Sequence, residues 1–227
     1  MSIKFLTAYH PNGQKKSEGN WDGDVPVGNH FTWHENGNKE YEMVEVNDSM
    51  EMTTSWYENG QIESKGSRSA THYQEVGLWT QWFENGNKKS EGSYDGEEGR
   101  VGEWKFWHSN GQMESKGSTS STNYQEVGLW TRWYENGNKK SEGSYKGEDG
   151  RNGEWKFWHS NGQIACIGFF QGFRGDGLWS FWDETGNKIH EREYKDNEFL
   201  DVWKNLRING CSEELLDKFK QYIFNMV

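Results

Sequence analysis

Large apolar side chains in this chain fall into a fixed local pattern: G-x-W-x-x-W, then x-x-N-G, then a polar run that closes on glycine, as in GEWKFWHSNGQMESKG from Gly102 to Gly117. Asn-Gly between two extended segments signals a tight hairpin, because a type I′ turn needs positive φ at both central residues and these two adopt it at low cost. The pattern therefore predicts one β-hairpin per Asn-Gly. Side chains alternate along a strand, so Trp104 and Phe106 are expected on one face and Trp107 on the other, and both faces carry aromatics. With a two-residue turn Trp104 stands opposite Gly117 and Phe106 opposite Ser115, letting the indole lie across a glycine of its own hairpin. A three-residue loop with a glycine bulge shifts that pairing by one, and the pattern is compatible with both.

The hairpin signal recurs. Asn-Gly begins at Asn12, Asn36, Asn59, Asn85, Asn110, Asn136 and Asn161, with a Thr185-Gly186 echo, which divides residues 1–195 into eight units of about 25 residues. A double period of 51 lies over this, since EVGLWTQWFENGNKKSEGSY at Glu75–Tyr94 returns as EVGLWTRWYENGNKKSEGSY at Glu126–Tyr145. Connections between units alternate with it: SRSATHYQEVG and STSSTNYQEVG are hydroxyl-rich, whereas SYDGEEGRVG and SYKGEDGRNG are acidic. Self-similarity at such a period marks a repeat array, here an elongated, single-layer, twisted antiparallel sheet of tandem hairpins, mainly β. Beyond residue 195 the period changes. In CSEELLDKFKQYIFNMV, Ser212 reads as an N-cap, and Leu216, Phe219, Ile223 and Met226 make one apolar helical face. Residues 196–227 are accordingly expected to form a short helical cap over the last hairpin, with docking of a partner as the alternative role.

Composition sharpens the architecture. Only 31% of the 227 residues are hydrophobic, yet 14 are Trp and 28 are Gly, so the apolar material sits in a few large flat side chains, which suits a thin sheet better than a thick core. The opening segment lacks a secretory signal pattern and no run approaches the ~20 apolar residues of a membrane span, which leads us to expect a soluble, cytoplasmic protein. Cys166 and Cys211 have no CxxC spacing and are expected as two reduced thiols.

Candidate chemistry is sparse. His108 and His159 are repeat equivalents, and a site copied along an array is a surface feature more often than a catalytic centre. No Ser-His-Asp ordering and no zinc-protease, phosphate-loop or dinucleotide motif is found, and the GEEG and GEDG loops lack the twelve-residue Ca²⁺ pattern. No enzymatic activity, cofactor or metal is expected. A net charge of −11 disfavours nucleic acid and anionic lipid and favours a basic protein partner.

These units, GLWTQWFENGNKKSEGSY among them, resemble the MORN-repeat variant family of bacteria, whose repeats read approximately G-x-W-x-x-[WYF]-x-x-N-G. The match covers about 190 residues; His30 and Thr53 depart from it by standing where the first Trp belongs. The resemblance implies a non-catalytic scaffold for protein–protein binding, and many bacterial members are described as toxin-neutralising antitoxins. A membrane-associated scaffold and a carbohydrate-binding surface using exposed Trp are the alternative functions. The candidate partner-binding residues are Trp79, Trp82, Trp104, Trp107, Trp130, Trp133, Trp155 and Trp158 with the acidic loop residues Glu97, Glu98, Glu148 and Asp149. Self-association is expected, if anywhere, at the N-terminal edge strand, because an open sheet leaves that edge unpaired.

Overall fold

Each Asn-Gly does sit in a hairpin, but the turn is of a different kind from the one expected. In the fifth unit His108 N–H donates to Gln112 O (2.9 Å) and Gly111 N–H to His108 O (2.9 Å), which encloses a three-residue loop, Ser109-Asn110-Gly111. Only the glycine is left-handed, at φ +87°, and among the described residues Tyr73 is the sole non-glycine with positive φ. The type I′ expectation is thus corrected: Asn is selected for its side chain. The computed structural model describes residues 3–120 and 125–194, with only the backbone of Glu98, so the expected C-terminal cap and Cys211 lie outside the described residues.

Among the described residues sixteen strands form a single antiparallel sheet in strict chain order, each paired with its sequence neighbours. They are β1 (Lys4–Tyr9), β2 (Lys15–Asp22), β3 (Val25–Trp33), β4 (Lys39–Asn47), β5 (Met50–Trp56), β6 (Ile62–Ser69), β7 (Glu75–Trp82) and β8 (Lys88–Asp95). The second half comprises β9 (Arg100–Trp107), β10 (Met113–Thr119), β11 (Glu126–Trp133), β12 (Lys139–Lys146), β13 (Arg151–Trp158), β14 (Ile164–Gly172), β15 (Arg174–Trp182) and β16 (Lys188–Tyr194). One-turn 3-10 segments at Gly96–Glu98 and Gly147–Asp149 carry the acidic connections. At the usual strand spacing the sheet measures about 70 Å across its strands.

Register inside a hairpin reconciles both alternatives read from the sequence. Next to the turn Trp107 stands opposite Met113, as a three-residue loop requires; Glu114 is then bulged, so that Phe106 faces Ser115 and Trp104 faces Gly117, as a two-residue turn would give. The same shift follows the turn in every unit, for example between Gln81 and Trp82.

A second irregularity joins one unit to the next. Between β8 and β9, Glu91 faces Lys105 but the next pair is Ser93 with Val101, leaving Gly102, Glu103 and Trp104 against Gly92 alone. Gly102 makes this bend at φ +69°, a conformation that a Cβ would resist. The result is that Trp104 lies over Gly92 of the preceding unit, so close that a Cβ there would come within 2.2 Å of the ring, and its Nε1–H donates to Ser93 O (3.2 Å). Trp79 over Gly66, Trp130 over Gly117, Trp155 over Gly143 and Trp179 over Gly168 repeat the arrangement. The expected lid of Gly117 by Trp104 is therefore corrected: Gly117 is covered by the indole of the following unit.

These indoles are the core. Tyr94 stands edge-on between Trp79 (6.4 Å) and Trp104 (5.0 Å), and Phe170 does the same between Trp155 (6.0 Å) and Trp179 (5.0 Å). Guanidinium groups close the face: Arg100 lies 4.5 Å from the Trp104 ring and Arg151 4.8 Å from that of Trp155. A one-layer sheet thus excludes water from its largest side chains, with Trp155 0% exposed, by roofing them with neighbouring rings and cations instead of a second layer.

Candidate functional site

The proposed partner-binding residues separate into three groups that the fold does not bring together. Trp79, Trp104, Trp130 and Trp155 are buried inter-unit locks. A partner has no access to them, which corrects their place among the binding candidates. Trp82, Trp107, Trp133 and Trp158 are half-buried on the opposite face, in a file beside the turns. The acidic connections run along the other margin of the sheet, an eight-residue strand away, roughly 25 Å.

The half-buried file is itself largely occupied. Lys88 of the preceding unit places Nζ 5.5 Å from the Trp107 ring centroid, and Lys139 lies 5.4 Å from Trp158. The bulge after each turn puts Lys139 on the same face as Glu142, and the two form an ion pair at 2.6 Å. Lys15 over Trp33 and Lys39 over Trp56 extend the series. Ahead of Trp82 and Trp133 the lysine position is taken by Ile62 and Met113, so the cationic cover is missing at every second unit in this part of the array.

That two-unit alternation continues in the middle of the same face. The residue between the bend glycine and the buried indole is Leu78, Glu103, Leu129, Glu154 and Leu178 in five successive units. The leucines are 62%, 61% and 51% exposed. Glu103 is instead held by Lys105 (3.1 Å) and Lys116 (3.0 Å), whose hydrogen bonds keep its carboxyl below the usual carboxylate range, and Glu154 pairs with Lys156 (3.0 Å). Exposed leucine thus alternates with a neutralised charge at a spacing of four strands, about 19 Å. These leucines were not among the sequence candidates. The GLW/GEW alternation was visible, but a leucine beside a tryptophan reads as strand filling until the tryptophan is known to face away.

At the acidic margin Glu97, Glu148 and Asp149 are exposed, with Asp149 paired to Lys146 at 3.0 Å; the Glu98 side chain lies outside the described residues. On the turn margin the repeated Asn proves structural. Asn110 Nδ2 donates to Glu135 O of the next turn (2.7 Å) while its Oδ1 accepts from Gln112 N–H (2.9 Å). His108 and His159, placed just before the turns, reach Trp133 O (3.0 Å) and Trp182 O (2.9 Å) in the same way. Both rings serve the inter-unit ladder. Among the described residues no three metal-ligating side chains converge, and no helix is long and apolar enough to cross a membrane. Cys166 is a free thiol whose burial pushes its pKa far above the ordinary range.

Comparison with known proteins fits this geometry. The family model described as MORN repeat variant matches residues 6–22, 53–68, 75–95, 100–120, 126–146, 151–171 and 175–196, more than half of the chain. The hairpin it passes over is that of β3 and β4. No curated protein matches. Among solved structures the chain is similar to the crystal structure of TcdB2-TccC3-TEV at 12% identity and a TM-score of 0.27, over 87% of this chain and 13% of that one. A second similarity, to the crystal structure of TcdB2-TccC3-Cdc42, has 10% identity and a TM-score of 0.19, over 85% of this chain and 14% of that one. The chain spans about one-seventh of either, and likenesses this distant carry no argument about its fold.

Proposed function

Because the chain belongs to the MORN repeat variant family, a repeat scaffold by construction, we propose that it is a non-catalytic scaffold that binds a protein partner on the face bearing Leu78, Leu129 and Leu178. The observation that supports this most is the alternation of exposed leucine with ion-paired glutamate in five consecutive units. The opposite face is already roofed, whereas this one presents equivalent apolar contacts at regular intervals. Several weak contacts on one rigid frame act as one stronger contact. The exposed carboxylates of Glu97, Glu148 and Asp149 and the net charge of −11 add a preference for a basic partner. A toxin with a basic cleft belongs to that class. Stacking of sugars on the Trp file is disfavoured by the lysines that cover Trp33, Trp56, Trp107 and Trp158.

The test is affinity capture from source-cell lysate with the wild type, with Leu78→Ser/Leu129→Ser/Leu178→Ser, and with a variant reversing Glu97, Glu98, Glu148 and Asp149 to Lys. Exposed positions of both kinds contribute little to stability, so circular dichroism should be unchanged. The leucine variant should lose the partner, and the reversal variant should lose the salt-sensitive part of its binding. Undiminished capture by the leucine variant rejects the proposed face; undiminished capture by the reversal variant rejects the basic partner. Binding on a glycan array or flotation with liposomes, in place of protein capture, would reassign the surface to one of the other two ligand classes.

A further inference from the structure

The two ends of the array are chemically unlike. In the last hairpin two of the devices that join a unit to its successor have been replaced, while Lys188 and Tyr194 keep the places of Lys88 and Tyr94. Arg192 stands at the position where Gly92 and its equivalents admit the next indole, and Thr185 stands where Asn110 and its equivalents reach the next turn. Thr185 Oγ1 instead donates to Asp183 (2.7 Å), and Asn187 Nδ2 to Thr185 (2.7 Å), so that this turn closes upon itself.

The first hairpin keeps the backbone acceptors for a unit on its other side, although Leu6 and Lys4 stand in the places of the indole and the bend glycine. Trp33 O and Glu35 O accept hydrogen bonds from His10 and Asn12 of the unit before them; Tyr9 O and Pro11 O hold the equivalent positions in the first unit. Among the described residues no strand covers the outer edge of β1. Phe5 and Tyr9 are each 63% exposed there. Lys4 is the only charge in KFLTAY, which contains no proline, and the nearby bulge falls on β2, where Ala8 faces Ser17 and Tyr9 faces Lys15. Apart from Lys4, β1 therefore lacks the charges, proline and bulge that usually blunt an edge strand.

We propose that β1 pairs with β1 of a second copy of this chain, across a two-fold axis normal to the sheet, to give one continuous sheet of twice sixteen strands. His10 N–H is used within its own hairpin by Gln14 O, so alternation turns the N–H and C=O groups of Tyr9, Thr7 and Phe5 outward. An axis through Thr7 then pairs outward groups only, with Phe5 opposite Tyr9 twice and Leu6 opposite Ala8 twice. This register places aromatic against aromatic on one face and aliphatic against methyl on the other. The contact closes as a dimer because the two-fold axis uses the same edge of both copies; a head-to-tail contact would instead set Leu6, in the indole's place, against Arg192, in the glycine's.

The experiment is light scattering coupled to size exclusion on the full chain from about 1 to 100 µM, a range suited to an interface of this small size. A mass moving from 26.6 kDa towards twice that value with concentration is expected. Thr7→Pro removes an outward N–H and no hairpin hydrogen bond, and should leave a folded monomer. Phe5→Lys/Tyr9→Lys should also be monomeric, whereas Phe5→Glu/Tyr9→Lys should dimerise again because the register puts the opposite charges face to face. Monomer at every concentration overturns the proposal, including the case in which a strand of another protein occupies this edge. So does a dimer that persists in Thr7→Pro, and failure of Phe5→Glu/Tyr9→Lys to dimerise better than Phe5→Lys/Tyr9→Lys rejects the register.

Discussion

The boundary between the second and third hairpins and that between the fourth and fifth solve one packing problem in two ways. At the later boundary Trp104 covers Gly92 and the strand bends at Gly102. At the earlier one Thr53 stands in place of the tryptophan, Met43 in place of the covered glycine, and Glu51 in place of the bend glycine. Register there runs unbroken from Tyr41–Ser55 through Met43–Thr53 to Glu45–Glu51. Met43 is buried at 2% exposure, Arg68 bonds Glu51 at 2.8 Å, and the layer is as closed as its counterpart. The three positions have changed together. Bulk moved from one strand to the other, the bend lost its purpose, and so did its glycine. What a hairpin array must preserve at each boundary is filled volume and a satisfied backbone, and the tryptophan is one means of achieving it.

The largest effect should come from breaking the tryptophan version. Gly92→Val drives a side chain into the Trp104 ring, where even a Cβ would lie at 2.2 Å from the indole. We expect a loss of about 3 kcal/mol or more and local unfolding of β8–β9, read by hydrogen exchange. At the other boundary Thr53→Trp alone should be similarly damaging, since Met43 fills the site. Glu51→Gly/Thr53→Trp/Met43→Gly should recover much of that loss if the two boundaries are alternatives, while melting no better than that of Thr53→Trp would show that they are not.

A smaller effect is expected at the turn margin, which both kinds of boundary share. Asn110→Ala removes a bond within its own turn and one to the next, and should cost about 1–2 kcal/mol by chemical denaturation. An equal substitution at Thr185, whose side-chain bonds among the described residues stay within its own turn, should cost less.

The smallest effect concerns the first boundary, where His30 lies over Gly19 in the place of an indole, with Nδ1 buried and unpartnered. Burial lowers the His30 pKa below its ordinary value of 6.5. A folded pKa below the unfolded one means that the unfolded chain binds the proton more readily, so stability is full above pH 6.5 and declines as the pH falls towards the folded value. Amide exchange in β2 and β3, corrected for its intrinsic pH dependence, should therefore show several-fold weaker protection at pH 5 than at pH 7, and His30→Phe should abolish the difference. The tryptophan boundaries should show no such change.

The hairpin count, the strand boundaries near each Asn-Gly and the open antiparallel sheet were legible in the residues alone, because glycine, asparagine and aromatic spacing act locally and the Asn-Gly signal recurs seven times, with Thr185-Gly186 as an eighth. Which glycine each indole covers was settled only by the packing of one hairpin on the next. Trp104 is near Gly117 in its own hairpin and Gly92 in the preceding one, and the choice rests on the bend at Gly102, whose sense is invisible in a string of letters. The candidate site suffered from the same ambiguity: the most conspicuous tryptophans are the buried ones, while the exposed leucines became legible only when the bend had fixed which way each neighbour points. Asparagine was likewise recognised as a turn residue from sequence, but its bond to the next turn exists only once the hairpins stand side by side.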